Sequence, residues 1–131
     1  MNKVTSALVL EKLVFENILF NRNGFKNDNE IEFEMEVQIG VNEDKLYKVT
    51  LVLKGDKKGE YEFDVRLAGI FSFEENEEVN DELKHDLISK NAVAIMMPYL
   101  RSEVSLLTAQ PETECVVLPP FNINKMLEQS K

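Results

Sequence analysis

The stretch Ile31-Glu32-Phe33-Glu34-Met35-Glu36-Val37-Gln38-Ile39-Gly40-Val41 alternates an apolar residue with a polar or small one at every step. Successive side chains of a β-strand point to opposite faces, so this pattern is a strand with one face on a core and one in water. Antiparallel sheets are the ones that keep such a wet face, and the neighbouring residues agree. Asn42-Glu43-Asp44-Lys45 reads as a hairpin loop, after which Tyr47, Val49, Leu51 and Leu53 alternate with Lys48, Thr50, Val52 and Lys54. The segment Gly55-Asp56-Lys57-Lys58-Gly59 is expected to be a glycine-bounded turn. A third strand sets Tyr61, Phe63, Val65 and Leu67 on one face against Glu62, Asp64, Arg66 and Ala68 on the other. A meander of the three places Lys48 and Lys54 between acidic neighbours, and opposite charges across a ladder contribute up to ~1 kcal/mol per pair.

Upstream, a less regular strand is expected from Leu13 to Asn21. Val14, Ile18 and Phe20 would share one face, interrupted by Glu16, with Asn17, Leu19 and Asn21 on the other. Such irregularity suits a sheet edge. Downstream, the acidic stretch Glu74 to Glu82 reads as a loop and helix start, capped by Asn80 or Asp81. From there to Ala109 the pattern is helical, with Val93, Met97, Leu100, Val104 and Leu107 recurring on one face. Ala92 to Met97 is apolar throughout, so this part of the helix needs cover on both sides, from the sheet and from a second subunit. Pro98 should kink or divide the helix, since an interior proline removes a hydrogen bond at a cost of ~3 kcal/mol. Pro111, Pro119 and Pro120 make residues 110–122 an extended connector, and Ile123 to Gln129 a short final helix. The expected architecture is α+β: a four-stranded antiparallel sheet, one face packed by a long C-terminal helix plus a short final helix, in a single domain spanning residues 1–131.

Charge narrows the partners. With 24 acidic and 15 basic side chains the formal net charge is −9, whereas nucleic acid and anionic membrane surfaces are gripped by clustered Lys and Arg. Such a chain resists self-association or meets basic partners. Cys115 is the single cysteine, which excludes an intramolecular disulfide. The longest apolar run near the amino terminus, Ala7 to Leu10, is too short for a signal peptide, and no stretch approaches the ~20 residues of a membrane span. A cytoplasmic location is expected.

Little points to chemistry. His85, the only histidine, lies on a polar helix face near Glu82 and Asp86 without a nucleophile or orienting partner. Glu112 and Glu114 precede Cys115 and would raise a thiol's pKa, so a half-buried structural cysteine is expected there. The acidic stretch lacks the spacing of a calcium loop, and no phosphate-binding glycine motif or nucleophile elbow is present. No catalytic residue, cofactor or metal is expected. What stands out is a surplus of adaptable apolar side chains framed by acid: Met96, Met97, Met126, Phe71, Phe73 and Phe121. They line a surface for varied apolar ligands, or else they form core and subunit interface.

Three segments resemble one family. Val65-Arg66-Leu67-Ala68-Gly69-Ile70-Phe71-Ser72 is similar to the strand ending in Gly-Ile-Phe of the SecB protein-export chaperones. Ala94-Ile95-Met96-Met97-Pro98-Tyr99-Leu100-Arg101-Ser102-Glu103 resembles their helix with an apolar-Pro-Tyr-x-Arg pattern. Leu118-Pro119-Pro120-Phe121-Asn122-Ile123 resembles the stretch that opens their last helix. Order and spacing agree along nearly the whole chain.

The resemblance implies an ATP-independent holdase chaperone that binds non-native polypeptides in apolar grooves, keeps preproteins competent for export, and assembles as a homotetramer, a dimer of dimers. It implies a client groove around Phe121, Ile123, Met126 and Phe71, and assembly through Met97, Leu100, Val104 and Leu107. It further implies docking of the SecA motor on an acidic sheet face, with Asp64 and Glu62 as candidates. Asn17 and Asn21 stand where the family usually has acids, Glu62 replaces a usual leucine, and the chain carries little of the polar tail after its last helix. Service to a toxin–antitoxin pair, or to another single partner, is therefore the alternative to protein export. Neither reading involves nucleic acid or membrane insertion.

Overall fold

Period-two alternation is realised strand by strand in the computed structural model, which describes residues 7–74 and 81–121. Strands β1 (Ala7–Arg22), β2 (Ile31–Val41), β3 (Tyr47–Lys57) and β4 (Tyr61–Glu74) precede one long helix, α1 (Asp81–Thr108). The strands form a single antiparallel sheet in the order β1-β4-β3-β2. The meander of β2, β3 and β4 is as expected, and β1 comes back to pair with β4 at the far edge. The expected short final helix lies outside the described residues, as does most of the acidic loop before α1.

β2 pairs with β3 along its whole length, from Ile31 opposite Lys57 to Val41 opposite Tyr47, without a register shift. The hairpin between them closes on Asn42, whose side-chain oxygen accepts the Leu46 N–H at 2.9 Å. The next turn is shorter than the glycine spacing suggests. β3 runs on through Gly55 to Lys57, leaving the chain to reverse at residues 58–60, where Gly59 has φ +80°, a conformation L side chains rarely adopt. Gly55 is a strand residue with another purpose: the Phe63 ring lies across it, and a Cβ there would come within 2.3 Å of that ring.

β1 corrects the expected faces. It starts at Ala7 rather than Leu13, and its register against β4 shifts at Glu11 and again at Glu16. Each bulge inserts one unpaired residue, so apolar residues three apart return to the same side. Leu8, Leu10, Leu13, Phe15, Ile18 and Phe20 therefore lie opposite Phe73, Phe71, Gly69, Leu67, Val65 and Phe63. Val14 falls on the other face, opposite Ala68, and is 56% exposed instead of sharing a side with Ile18 and Phe20. The carboxylates of the bulged residues find partners on other strands: Glu11 accepts from Ser72 of the adjacent β4 at 2.6 Å, and Glu16 reaches over β4 to accept from Lys48 of β3 at 2.8 Å.

α1 lies across the apolar face, mainly on β4 with further contact to β1 and β3. Ile88, Ala92, Val93, Met96, Leu100 and Val104 are fully buried, against Val49, Leu51, Leu53, Val65, Leu67 and Phe71 of the sheet. Burying each large apolar side chain contributes ~1.5–3 kcal/mol. The helix runs through Pro98 as one element rather than two. Pro98 and Ala94 are both exposed, so the carbonyl left without its usual N–H partner is on the side that meets water. Beyond α1 the chain doubles back as an extended crossover. Val116 is pinned to the helix end there, its N–H donating to Thr108 Oγ1 and its carbonyl accepting from Ser105 Oγ, both at 2.8 Å.

Candidate functional site

A helix with its side chains is ~10 Å across, whereas four strands at ~4.8 Å spacing make a wider sheet. One helix therefore leaves a flank of the apolar face open, and here that flank is β2. Ile31, Phe33, Met35 and Ile39 are only partly buried although they point to the helix side. The crossover runs alongside and leaves a groove of about 440 Å³, lined by Ile31, Phe33, Val116 and Val117, with Asn29, Glu30, Glu114 and Cys115 at its rim. Val117 is 77% exposed. Tyr61 and Lys57, both buried, form its floor. Cys115 is exposed at this rim, in contact with the Ser105 carbonyl at 3.5 Å, rather than half-buried as expected.

Beneath the groove lies a charged cluster. Glu60 is fully buried, and its carboxylate accepts from Lys57 Nζ and from the Asn27 N–H, each at 2.9 Å. Arg22 Nη1 stands 3.9 Å from its other oxygen. Burial alone would push the Glu60 carboxyl up, but the Lys57 and Asn27 hydrogen bonds and the charges of Lys57 and Arg22 together hold it below the ordinary value of 4.5. The Glu60 carbonyl also accepts from the N–H groups of Asn23 and Gly24, at 2.7 and 3.1 Å. The link between β1 and β2 is thereby fastened to the β3–β4 turn. Burial, and then the Glu60 charge, push the neighbouring Tyr61 hydroxyl up to about 12.

Among the described residues, no helix packs on the opposite face of the sheet. Its strand register sets the side chains in rows: Glu32, Asp56, Glu62 and Asn21 in one, then Glu34, Lys54, Asp64 and Leu19 in the next. Lys54 lies between two carboxylates, as the charge pattern suggests, but the first row puts three acids side by side, which is unfavourable. These two rows border a shallow depression of about 600 Å³. Asp64 is partly buried, its Oδ1 lacks a hydrogen-bond donor, and its backbone carbonyl accepts from Asn17 Nδ2 at 3.3 Å. Glu62 is exposed. Among the described residues no group of three or more His, Cys, Asp or Glu side chains is arranged to hold a metal ion.

The residues singled out from sequence are thus dispersed. Phe71 is fully buried under α1, its ring filling the space beside Gly69 and Met96. Met96 and Met97 likewise belong to the core. Met97, Leu100 and Val104 face the chain's own sheet, and Leu107 packs partly against the same core. The outward side of α1 presents Tyr99 and Leu106, the latter 68% exposed, with Ile95 beside them partly buried against the core. Phe121 is partly buried against the core at the end of the crossover, while Ile123 and Met126 lie outside the described residues. Asp64 and Glu62 share the open face as expected. His85 is exposed on α1. Sequence reasoning missed Ile31, Phe33 and Val117, since alternation marks the core side of a strand without saying how far the helix reaches.

Among the described residues the chain is thus a four-stranded antiparallel sheet with one long helix on its apolar face, an apolar groove beside β2 and an acidic plane on the other face. The chain belongs to the SecB family: the family model for preprotein translocase subunit SecB matches residues 6–131. It is 28% identical to the uncharacterized protein MJ0357 of Methanocaldococcus jannaschii over 92% of this chain and 83% of that one. Its fold is similar to that of the Mycobacterium tuberculosis Rv1957 SecB-like chaperone, solved in complex with a ChAD peptide from the Rv1956 HigA1 antitoxin. That match has a TM-score of 0.71 at 12% identity and covers 88% of each chain. A Streptococcus agalactiae protein of unknown function is more distant, with a TM-score of 0.51 at 13% identity over 88% of this chain and 99% of that one. Both structural likenesses concern the fold. No described helix is long and apolar enough to cross a membrane.

Proposed function

We propose that this chain is an ATP-independent holdase chaperone, which binds non-native polypeptides in the cytoplasm and keeps preproteins competent for export. The observation that carries the reading is the open apolar groove between β2 and the crossover. Affinity comes from removing client side chains from water, at roughly 25 cal/mol per Å² of apolar surface, and involves no bond-breaking step. Ile31, Phe33 and Val117 are the contacts, with Phe121, Ile123 and Met126 continuing the site along the chain. The working form is a homotetramer, a dimer of dimers. Ile95, Tyr99 and Leu106 supply apolar contact on the outward side of α1, with Leu107 beside them. The test is aggregation of a chemically denatured client without nucleotide. The chain should suppress it, and Val117→Glu or Phe33→Glu should abolish the effect while leaving the fold intact. Unchanged suppression by both variants would remove the groove from the reading.

A second reading is service to one dedicated partner, such as an antitoxin. The likeness to the Mycobacterium tuberculosis chaperone, solved with an antitoxin peptide, supports it. The acidic plane around Asp64 and Glu62 is proposed as the docking face for a basic partner, SecA in the export reading. Asn17 and Asn21 make that plane less acidic on β1, which favours the dedicated partner. Copurification from native cells separates the two: a translocation motor on one outcome, a toxin–antitoxin pair on the other.

A further inference from the structure

The groove has two walls that are distant in sequence. One is the link between β1 and β2 leading into Ile31 and Phe33, and the other is the crossover around Val116 and Val117. The crossover is fixed at Val116 by the helix end, and Thr113 N–H and Cys115 Sγ bond locally to the Gln110 and Ser105 carbonyls at 3.2 and 3.5 Å, but these bonds leave residues 112–115 untied to the first wall. Arg22 supplies that tie. Its Nη1 donates to the Gly24 carbonyl at 3.0 Å on the first wall, and its Nη2 donates to Thr113 Oγ1 on the second. The guanidinium also lies 5.9 Å from the centre of the Phe20 ring, which stacks on Tyr61 of the groove floor with centroids 4.9 Å apart. Its charge is held toward the buried Glu60 carboxylate at 3.9 Å. A planar guanidinium with several fixed donors can serve these partners at once, whereas a lysine ammonium is a single point of charge.

We propose that Arg22 is a positioning residue for the groove, tying the β1–β2 link to the crossover so that both walls are preorganised when a client arrives. Without this tie the crossover would have to be ordered on binding, which lowers affinity. The side chain of Arg22 is 32% exposed, so its replacement need not unfold the chain.

The affinity arm of the test rests on the holdase reading, while the exchange arm does not. In the full chain, Arg22→Met and Thr113→Val should each speed amide exchange at residues 112–115. Each should weaken binding of a reduced, carboxymethylated and therefore permanently unfolded polypeptide by about tenfold, equivalent to ~1.4 kcal/mol. The double variant should be no weaker than either single one, because both cut the same tie. Arg22→Lys should keep the melting temperature near that of the parent, since the charge beside Glu60 remains, and still bind weakly. Unchanged exchange in Arg22→Met, full binding by Arg22→Lys, or additive losses in the double variant would each overturn the assignment. If the parent chain binds no unfolded polypeptide, the holdase reading fails and the exchange result alone decides the role of Arg22.

Discussion

Glu60 and Lys57 form a buried charged pair beneath the groove, and a pair of this kind is costly to break. Removing one partner strands the other, typically at 3–5 kcal/mol, so Lys57→Met should lose about that much in urea denaturation. The pair also gives stability a defined dependence on pH. Glu60 is held below its ordinary value of 4.5 in the folded chain, so the unfolded chain takes up the proton first. The contribution is present above the ordinary value and disappears as the pH falls through the folded one. Denaturation at pH 7 and at pH 4 should therefore show a larger acid loss in the parent than in Glu60→Gln; equal losses would mean that Glu60 titrates normally. None of this is legible in sequence, where Glu60 reads as one more charge beside a turn. Its role depends on Arg22 and Asn27, which only the folded strands bring to it.

Elements were legible in proportion to their regularity. β2, β3 and the first part of β4 follow strict alternation and lie where it puts them, whereas β1 defeats it through two bulges that simple periodicity cannot represent. Those bulges make a test. Deleting Glu16 joins Phe15 to Asn17 with every face retained, and sacrifices an exposed ion pair to Lys48 worth about 1 kcal/mol or less. Deleting Val14 instead should turn Phe15 toward water and Glu16 toward the core, with severe loss of stability; similar melting temperatures for the two deletions would refute the register argument. α1 has the complementary ambiguity, since a helix apolar on two sides does not say which one meets its own sheet. Leu100→Ala should cost about 2–5 kcal/mol by leaving a cavity in the core. Leu106→Ala should change chain stability by no more than about 0.5 kcal/mol, and should lower the assembly state in sedimentation if that side is the subunit contact.

For the whole molecule, the two sheet faces have separate physics and should be separable by experiment. If the acidic rows dock a basic partner as proposed, Asp64→Lys with Glu62→Lys should weaken that docking, with an effect that shrinks as salt is raised. Client binding in the groove should change little. An unchanged docking affinity at low salt would return that face to plain solvation. The distinction was half readable beforehand: alternation separates oily from charged residues, but the open flank follows from the width of one helix against four strands. A different consequence follows from β2, which stands at the edge of the sheet among the described residues and contains neither proline nor bulge. An edge of this kind is a template for fibrils. Two copies pairing there would bring Glu32, Glu34 and Glu36 of one against those of the other, and their mutual repulsion opposes open-ended pairing along this edge. The guard is ionic and therefore removable: light scattering at neutral pH should rise in a variant carrying glutamine at all three positions.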